Sequence, residues 1–258
     1  MKRLFLLLSA TALTVCVTWA QDARSPFRKG YTRLGLQLPG NRLDNTLSPK
    51  ENILKGNLGN DQGYTLETGR LFYFLPASSV NLFNVGLDWT IFSATFTPTT
   101  KSWDNYADKT TGYSKEDFST KLMASVATKL GPVLSINPVQ DLIIDVRAQA
   151  SLGVYAIGPV YESFDNTEGI DGPTNAFYTF PNDPEASGAK SVTQGFNTLL
   201  KPNIGATVRW RGIGLAADYS PGKLNMKYKA IDNGVESTGE QKVPLNTFQL
   251  KLSFQGKK

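Results

Sequence analysis

The sequence predicts an all-β chain folded as one eight-stranded, antiparallel, up-and-down barrel, and three observations carry that reading. The first is the stretch Leu142 to Ala156, LIIDVRAQASLGVYA. From Ile144 onward, Val146, Ala148, Ala150, Leu152 and Val154 share one face, and Asp145, Arg147, Gln149, Ser151, Gly153 and Tyr155 share the other. A period of two sustained over this length is a strand with chemically opposed faces; a helix would scatter the same charges around its circumference. The second is that seven further segments repeat the pattern, with connections that alternate long and short. The third is what the composition lacks. The chain is 258 residues long and 40% hydrophobic, and beyond its N-terminus it has no apolar run long enough for a transmembrane helix.

The elements follow in order. Tyr31 to Leu38 sets Leu34, Leu36 and Leu38 against Arg33, Gly35 and Gln37, and Pro39-Gly40 ends it. Asn41 to Gly63, rich in Asn, Gly, Lys and Asp, reads as a long loop. Tyr64 to Leu75 is the second strand; Arg70 falls in phase with Leu66 and Phe72, and a bulge near Gly69 would restore the alternation. Pro76 stops this strand, and a short connection, Ala77 to Phe83, leads to Asn84–Phe96, where Val85, Leu87, Trp89 and Ile91 oppose Gly86, Asp88 and Thr90. Thr97 to Phe118 reads as a second long polar loop. The fourth strand, from Ser119 to about Ile136, places Leu122, Ala124, Val126 and Leu130 opposite Lys121, Ser125 and Lys129. Asn137 to Gln140 is a tight turn into the strand described above. Gly158 to Asn197 is the longest loop. Thr198 to Trp210 and Ile213 to Ser220 form a hairpin across Arg211-Gly212. Pro221 to Val243 is the fourth long connection, with strand extension expected at Met226 to Ala230. Leu245 to Phe254 closes the set, with Phe248, Leu250, Leu252 and Phe254 facing away from Thr247, Gln249, Lys251 and Ser253.

The N-terminus stands apart. Lys2 and Arg3 precede an apolar run from Leu4 to Val17, and Thr18-Trp19-Ala20 offers small residues for cleavage before Gln21. Residues 1–20 therefore read as a signal peptide and 21–258 as the barrel. A membrane anchor and lipidation at Cys16 are the alternatives; in the latter, Val15 replaces the usual small residue. Cleavage after Ala20 leaves no Cys and no His, so disulfides and thiolate or imidazole metal sites are excluded. It also takes the formal charge from +5 to +3, too small a bias to point to nucleic acid.

Periodicity alone does not decide whether the apolar faces meet a core or lipid. The loop order does favour one answer. Eight strands with connections running long, short, long, short, long, short, long place the termini and short turns on one rim and every long loop on the other. That is the layout of outer-membrane barrels, with short periplasmic turns and long outer loops. Phe72, Phe74, Trp210, Tyr219 and Phe254 fall on apolar faces, expected near the short-turn rim, and fit a lipid-boundary girdle. In this pattern and its aromatic-ended last strand, the chain from Tyr31 to Phe254 resembles the small eight-stranded outer-membrane barrels of the OmpA/OmpX type. That family usually ends on its terminal aromatic; here Gln255 to Lys258 follow Phe254. The resemblance implies outer-membrane lipid as the surroundings and the barrel-assembly machinery as a biogenesis partner.

The faces turned inward by this reading carry Arg33, Glu67, Asp88, Lys121, Lys129, Asp145, Arg147, Arg209, Asp218 and Lys251. Eight strands enclose a space that side chains largely fill, so these charges are expected to pair as a lumen network that blocks conduction. Enzymatic barrels of this size that modify lipid A or cleave proteins use His, which the mature chain lacks, and no Ser-based motif is present; a non-enzyme without cofactor is expected. The third loop holds Asp165, Glu168 and Asp171, a weak Ca²⁺ candidate whose Gly169 misses the EF-hand position. Its aromatics are candidates for contact with a surface or envelope protein. Two other functions stay open at this point: a small ion or solute pore, and a soluble, lipocalin-like binding barrel.

Overall fold

The computed structural model describes residues 27–38, 42–55, 57–75, 82–110, 115, 118–139, 141–163, 175–178, 190–192, 196–232 and 235–256. The leader, residues 1–20, and the Ca²⁺ candidates Asp165, Glu168 and Asp171 lie outside these residues, as does the side chain of Lys121.

The strands are β1 (Gly30–Leu38), β2 (Gly63–Tyr73), β3 (Phe83–Pro98), β4 (Phe118–Val139), β5 (Leu142–Ser163), β6 (Asn175–Tyr178), β7 (Lys190–Val192), β8 (Asn197–Trp210), β9 (Ile213–Ser220), β10 (Lys223–Asp232), β11 (Val235–Pro244) and β12 (Thr247–Gln255). Two helices, α1 (Pro49–Lys55) and α2 (Thr100–Lys109), lie between β1 and β2 and between β3 and β4.

Eight strands close into an antiparallel barrel in the order β1-β2-β3-β4-β5-β8-β9-β12. Closure is made where β12 returns to β1, with Tyr31 opposite Gln255 and Leu38 opposite Phe248. The rim that carries the chain ends also carries the short turns. Asp141 and Arg211 bend two of these turns with φ of 69° and 57°, and their side chains pair across the rim at 3.3 Å. The opposite rim is built differently. There β5 runs past its last β8 partner, Tyr155 opposite Asn197, and continues as a ribbon through β6, β7, β10 and β11. β11, at the ribbon's edge, packs on α1.

Alternation explains the barrel. In β2, residues 63, 65, 67, 69 and 71 are buried, and in β5 so are 143 through 155 at every second position. The interior therefore takes one side-chain parity of each strand and the exterior the other.

Four expectations need correction. Both long polar loops at the first two outer connections contain helices. Ser48-Pro49-Lys50-Glu51 starts α1: Glu51 Oε2 accepts from the Ser48 amide and hydroxyl, both at 2.9 Å, and Pro49 fits the first turn. In α2, Trp103, Tyr106 and Ala107 make the short buried stripe. The bulge belongs to β3 rather than β2: Ile91 and Phe92 share one place opposite Thr128, and both point outward. β2 therefore keeps its phase, Arg70 faces out over the ring of Phe72, and Leu71 goes inside. The turn after β4 is shorter than expected, because Asn137 to Val139 still belong to the strand. Finally, the fourth outer connection is a full hairpin of β10 and β11, longer than the extension expected there.

Candidate functional site: the barrel interior

The inward parity brings together charges from strands far apart in sequence. Glu67 on β2 is the hub. Lys129 of β4 donates to its Oε1 at 2.5 Å, Lys251 of β12 lies 2.7 Å from Oε2, and Arg33 of β1 lies 3.7 Å away. Lys251 also reaches Asp218 of β9 at 2.5 Å. Arg147 of β5 donates to the other oxygen of Asp218 through Nη2 at 2.7 Å and through Nε at 3.0 Å, and to Thr207 at 2.6 Å. Asp88 of β3 lies 3.5 Å from Arg33 and accepts from Tyr31, whose ring stacks 3.8 Å beneath the Arg33 guanidinium. Seven charged groups from seven strands thus form one connected network at mid-barrel. Its Coulombic gain is large only because dry surroundings leave it unscreened, and the same dryness makes any unpaired member costly.

Towards the short-turn rim a second pair stands apart: Arg209 donates to Asp145 at 2.9 Å and to the hydroxyl of Tyr73, and Ser135 donates to Asp145. Nine of the ten charged residues singled out in the sequence are buried inside the barrel, each no more than 5% exposed. The side chain of the tenth, Lys121, lies outside the described residues.

Small residues make the network possible. Gly205 lies between Arg147 and Asp218 in register, and a Cβ there would overlap the Asp218 carboxylate. Gly35 is the cross-strand partner of Lys251 and leaves room for its stem.

Above the network, at the mouth, lies an apolar cluster that sequence reasoning missed. Trp103 and Tyr106 of α2 pack with Leu58, Met123, Tyr155, Leu224, Val243 and Leu245. Trp103 donates to the Leu58 carbonyl at 3.1 Å and Tyr106 to that of Leu47 at 2.5 Å, tying α2 to the first outer connection. Asp61 from that same connection caps α2, accepting from the Lys101 amide at 2.9 Å and the Ser102 hydroxyl at 2.6 Å. The signal was available in Trp103, Tyr106 and Ala107, whose spacing of three and four residues marks one helical face.

Between this cap and the network lies a small polar cavity of about 20 Å³. Lys201 of β8 points into it and is 5% exposed. It shares the parity of Asn203 and Arg209, so the alternation already placed it inside.

The outward faces are the reverse of the interior. Val146, Leu152 and Val154 on β5, Val126, Leu130 and Leu134 on β4, and Ile204 and Val208 on β8 are 40% or more exposed. Phe72, Phe74 and Trp210 are outward and exposed towards the short-turn rim, and Phe254, half-buried, lies opposite Ile213 beside them. Tyr219 is also outward, but at the other end of its strand, opposite Ile204 and Phe248. There Tyr64, opposite Phe96, and Phe248 form a second exposed aromatic row that the sequence reading did not separate from the first. Among the described residues no group of His, Cys, Asp and Glu is arranged to hold a metal ion.

Comparison with known proteins adds structural likeness alone. No family model and no curated protein matches the chain. Among solved structures, a major outer membrane protein from Thermus thermophilus matches with a TM-score of 0.39 and 9% identity, over 88% of this chain and 99% of that one. The class of protein is therefore set by the fold itself: a closed, eight-stranded, antiparallel β-barrel with an ionic interior and an apolar exterior.

Proposed function

We propose that this chain is an integral outer-membrane β-barrel whose lumen is plugged by its own side chains. In this reading it is not an enzyme. Its outer face, the ribbon β6-β7-β10-β11 together with the outer connections, serves envelope structure, adhesion or assembly with other envelope proteins. One observation carries the reading: the charged residues are inside and the large apolar ones outside. Transfer of so many exposed Leu, Val, Ile, Phe and Trp side chains out of water stabilises by roughly 1.5–3 kcal/mol each, and a water-soluble barrel would forgo all of it. The exposed apolar positions on β4, from Val126 to Ile136, and on β8, from Leu200 to Trp210, each cover about ten residues, the reach of a membrane-crossing strand. The two aromatic rows stand at the ends of that band, where a lipid boundary favours them.

The ion network and the apolar cap lie in series across the lumen, which supports a plug over a pore. The resemblance to OmpA/OmpX-type barrels belongs to this reading, as does delivery by a cleaved leader and insertion by the barrel-assembly machinery. Two experiments test it together. The folded protein should resist SDS at room temperature and shift on a gel only after boiling, and reconstituted into planar bilayers it should give no defined single-channel steps. Recovery in the soluble fraction without detergent contradicts the membrane assignment, and reproducible unitary conductance contradicts the plug.

A further inference from the structure

We propose that the cavity between the ion network and the mouth cap is a binding site for one small inorganic anion, a halide, held by the ammonium of Lys201. The inference uses the closed lumen but not the membrane assignment. Six buried cations face four buried carboxylates among the described residues, so the interior carries an excess of positive charge. Lys201 is where that excess is least answered. It is 5% exposed, yet no described carboxylate lies within ion-pair distance of it. An ammonium has three N–H donors. The hydrogen bond given to Lys201 is a long one, 3.3 Å to the Thr247 hydroxyl, with the Tyr155 ring 5.0 Å away. The remaining donors open into the cavity.

The lining fits an anion and no other class of ion. It holds two lysines, Lys129 and Lys201, together with Ser125, Ser151, Thr247 and Gln249, and no carboxylate. The hydroxyls supply neutral donors to an anion beside the charged ones, while the Gln249 amide already donates to Gln37 and Thr95. The volume, about 20 Å³, admits one occupant of roughly the size of a water molecule. That size favours a monatomic halide over phosphate, sulfate or a carboxylate. Water suffices for a neutral amine but not for an ammonium, and an ammonium left unpaired at this depth, beside Lys129, costs several kcal/mol that a bound halide offsets.

Lys129 of the network lines the cavity on one side and Tyr155, shared with the cap, on the other, and loading during refolding keeps access from limiting occupancy. The full chain is refolded into detergent in bromide, crystallised, and measured at the bromine edge. The expected result is an anomalous peak in contact with Lys201 Nζ; a water peak without anomalous signal overturns the proposal. In parallel, protein refolded in chloride is compared with protein refolded in gluconate at equal ionic strength. The Tm of the wild type should rise by roughly 3–5 °C per tenfold increase in chloride once the site begins to fill, and that of Lys201→Met should not. Equal chloride dependence in both proteins contradicts the site. If Lys201→Met does not fold, the diffraction experiment on the wild type decides alone.

Discussion

Glu67 accepts ion pairs from three cations on three different strands, and neither of its carboxylate oxygens is open to solvent. Glu67→Gln keeps the shape and removes the charge, leaving Arg33, Lys129 and Lys251 with less counter-charge than they need. We expect a loss of about 3–5 kcal/mol in urea unfolding from lipid vesicles, the magnitude of breaking a buried pair by removing one partner. Lys115→Ala, which breaks a solvent-exposed pair with Asp108, should leave the same measurement nearly unchanged. Space is as decisive as charge. Gly205→Val places branched carbon where the Asp218 carboxylate lies, so it should disrupt the Arg147–Asp218 bond and reduce the folded yield. Outside the barrel, Ser48 holds the Glu51 carboxyl below its ordinary value through hydrogen bonds from the amide and hydroxyl. A depressed folded value means the cap contributes fully above the unfolded value and fades as pH falls through the folded one. NMR titration should therefore find Glu51 protonating at lower pH in the wild type than in Ser48→Ala.

At the scale of elements, α2 joins the barrel's mouth to its loops. Trp103 is fully buried and joins the Leu58 carbonyl to the cluster around Tyr155 and Leu224. Trp103→Ala should cost about 3–5 kcal/mol in the cap, in the range for a large core aromatic. If the ion network alone suffices to seal the lumen, conductance stays absent in this variant. The barrel strands were legible in the sequence because most keep a period of two with charge on one parity, as in Ile144 to Tyr155; β2, with Glu67 inside and Arg70 outside, is the exception. The helices were not. Seven and ten residues set in polar sequence give only a capping box at Ser48–Glu51 and three apolar side chains at Trp103, Tyr106 and Ala107. The bulge at Ile91–Phe92 was misplaced because Arg70 looked out of phase. Its guanidinium in fact lies over Phe72 near the strand's end, outside the barrel, where a long side chain can extend its charge towards water. Which charges share the interior could be read from parity; which of them touch could not, because Arg147 and Asp218 meet only through the register of β5, β8 and β9.

Among the described residues the barrel is a tube with ten charged side chains buried inside and a mainly apolar outer wall, and an apolar cluster lies at one mouth. As an integral membrane barrel it would set its outward parity against hydrocarbon. The chain's single cysteine, Cys16, precedes the expected cleavage site after Ala20, so a chain beginning at Gln21 takes spin labels through introduced cysteines alone. Labels at Val146, Leu130 and Ile204 sample the outward parity of three strands, and one at Ser151 samples the interior without removing a member of the ion network. In vesicles, the account predicts that the first three are accessible to oxygen dissolved in the acyl chains and shielded from a water-soluble nickel chelate, while Ser151 is shielded from both. High chelate access at Val146, Leu130 and Ile204, or oxygen access at Ser151 equal to theirs, would contradict it.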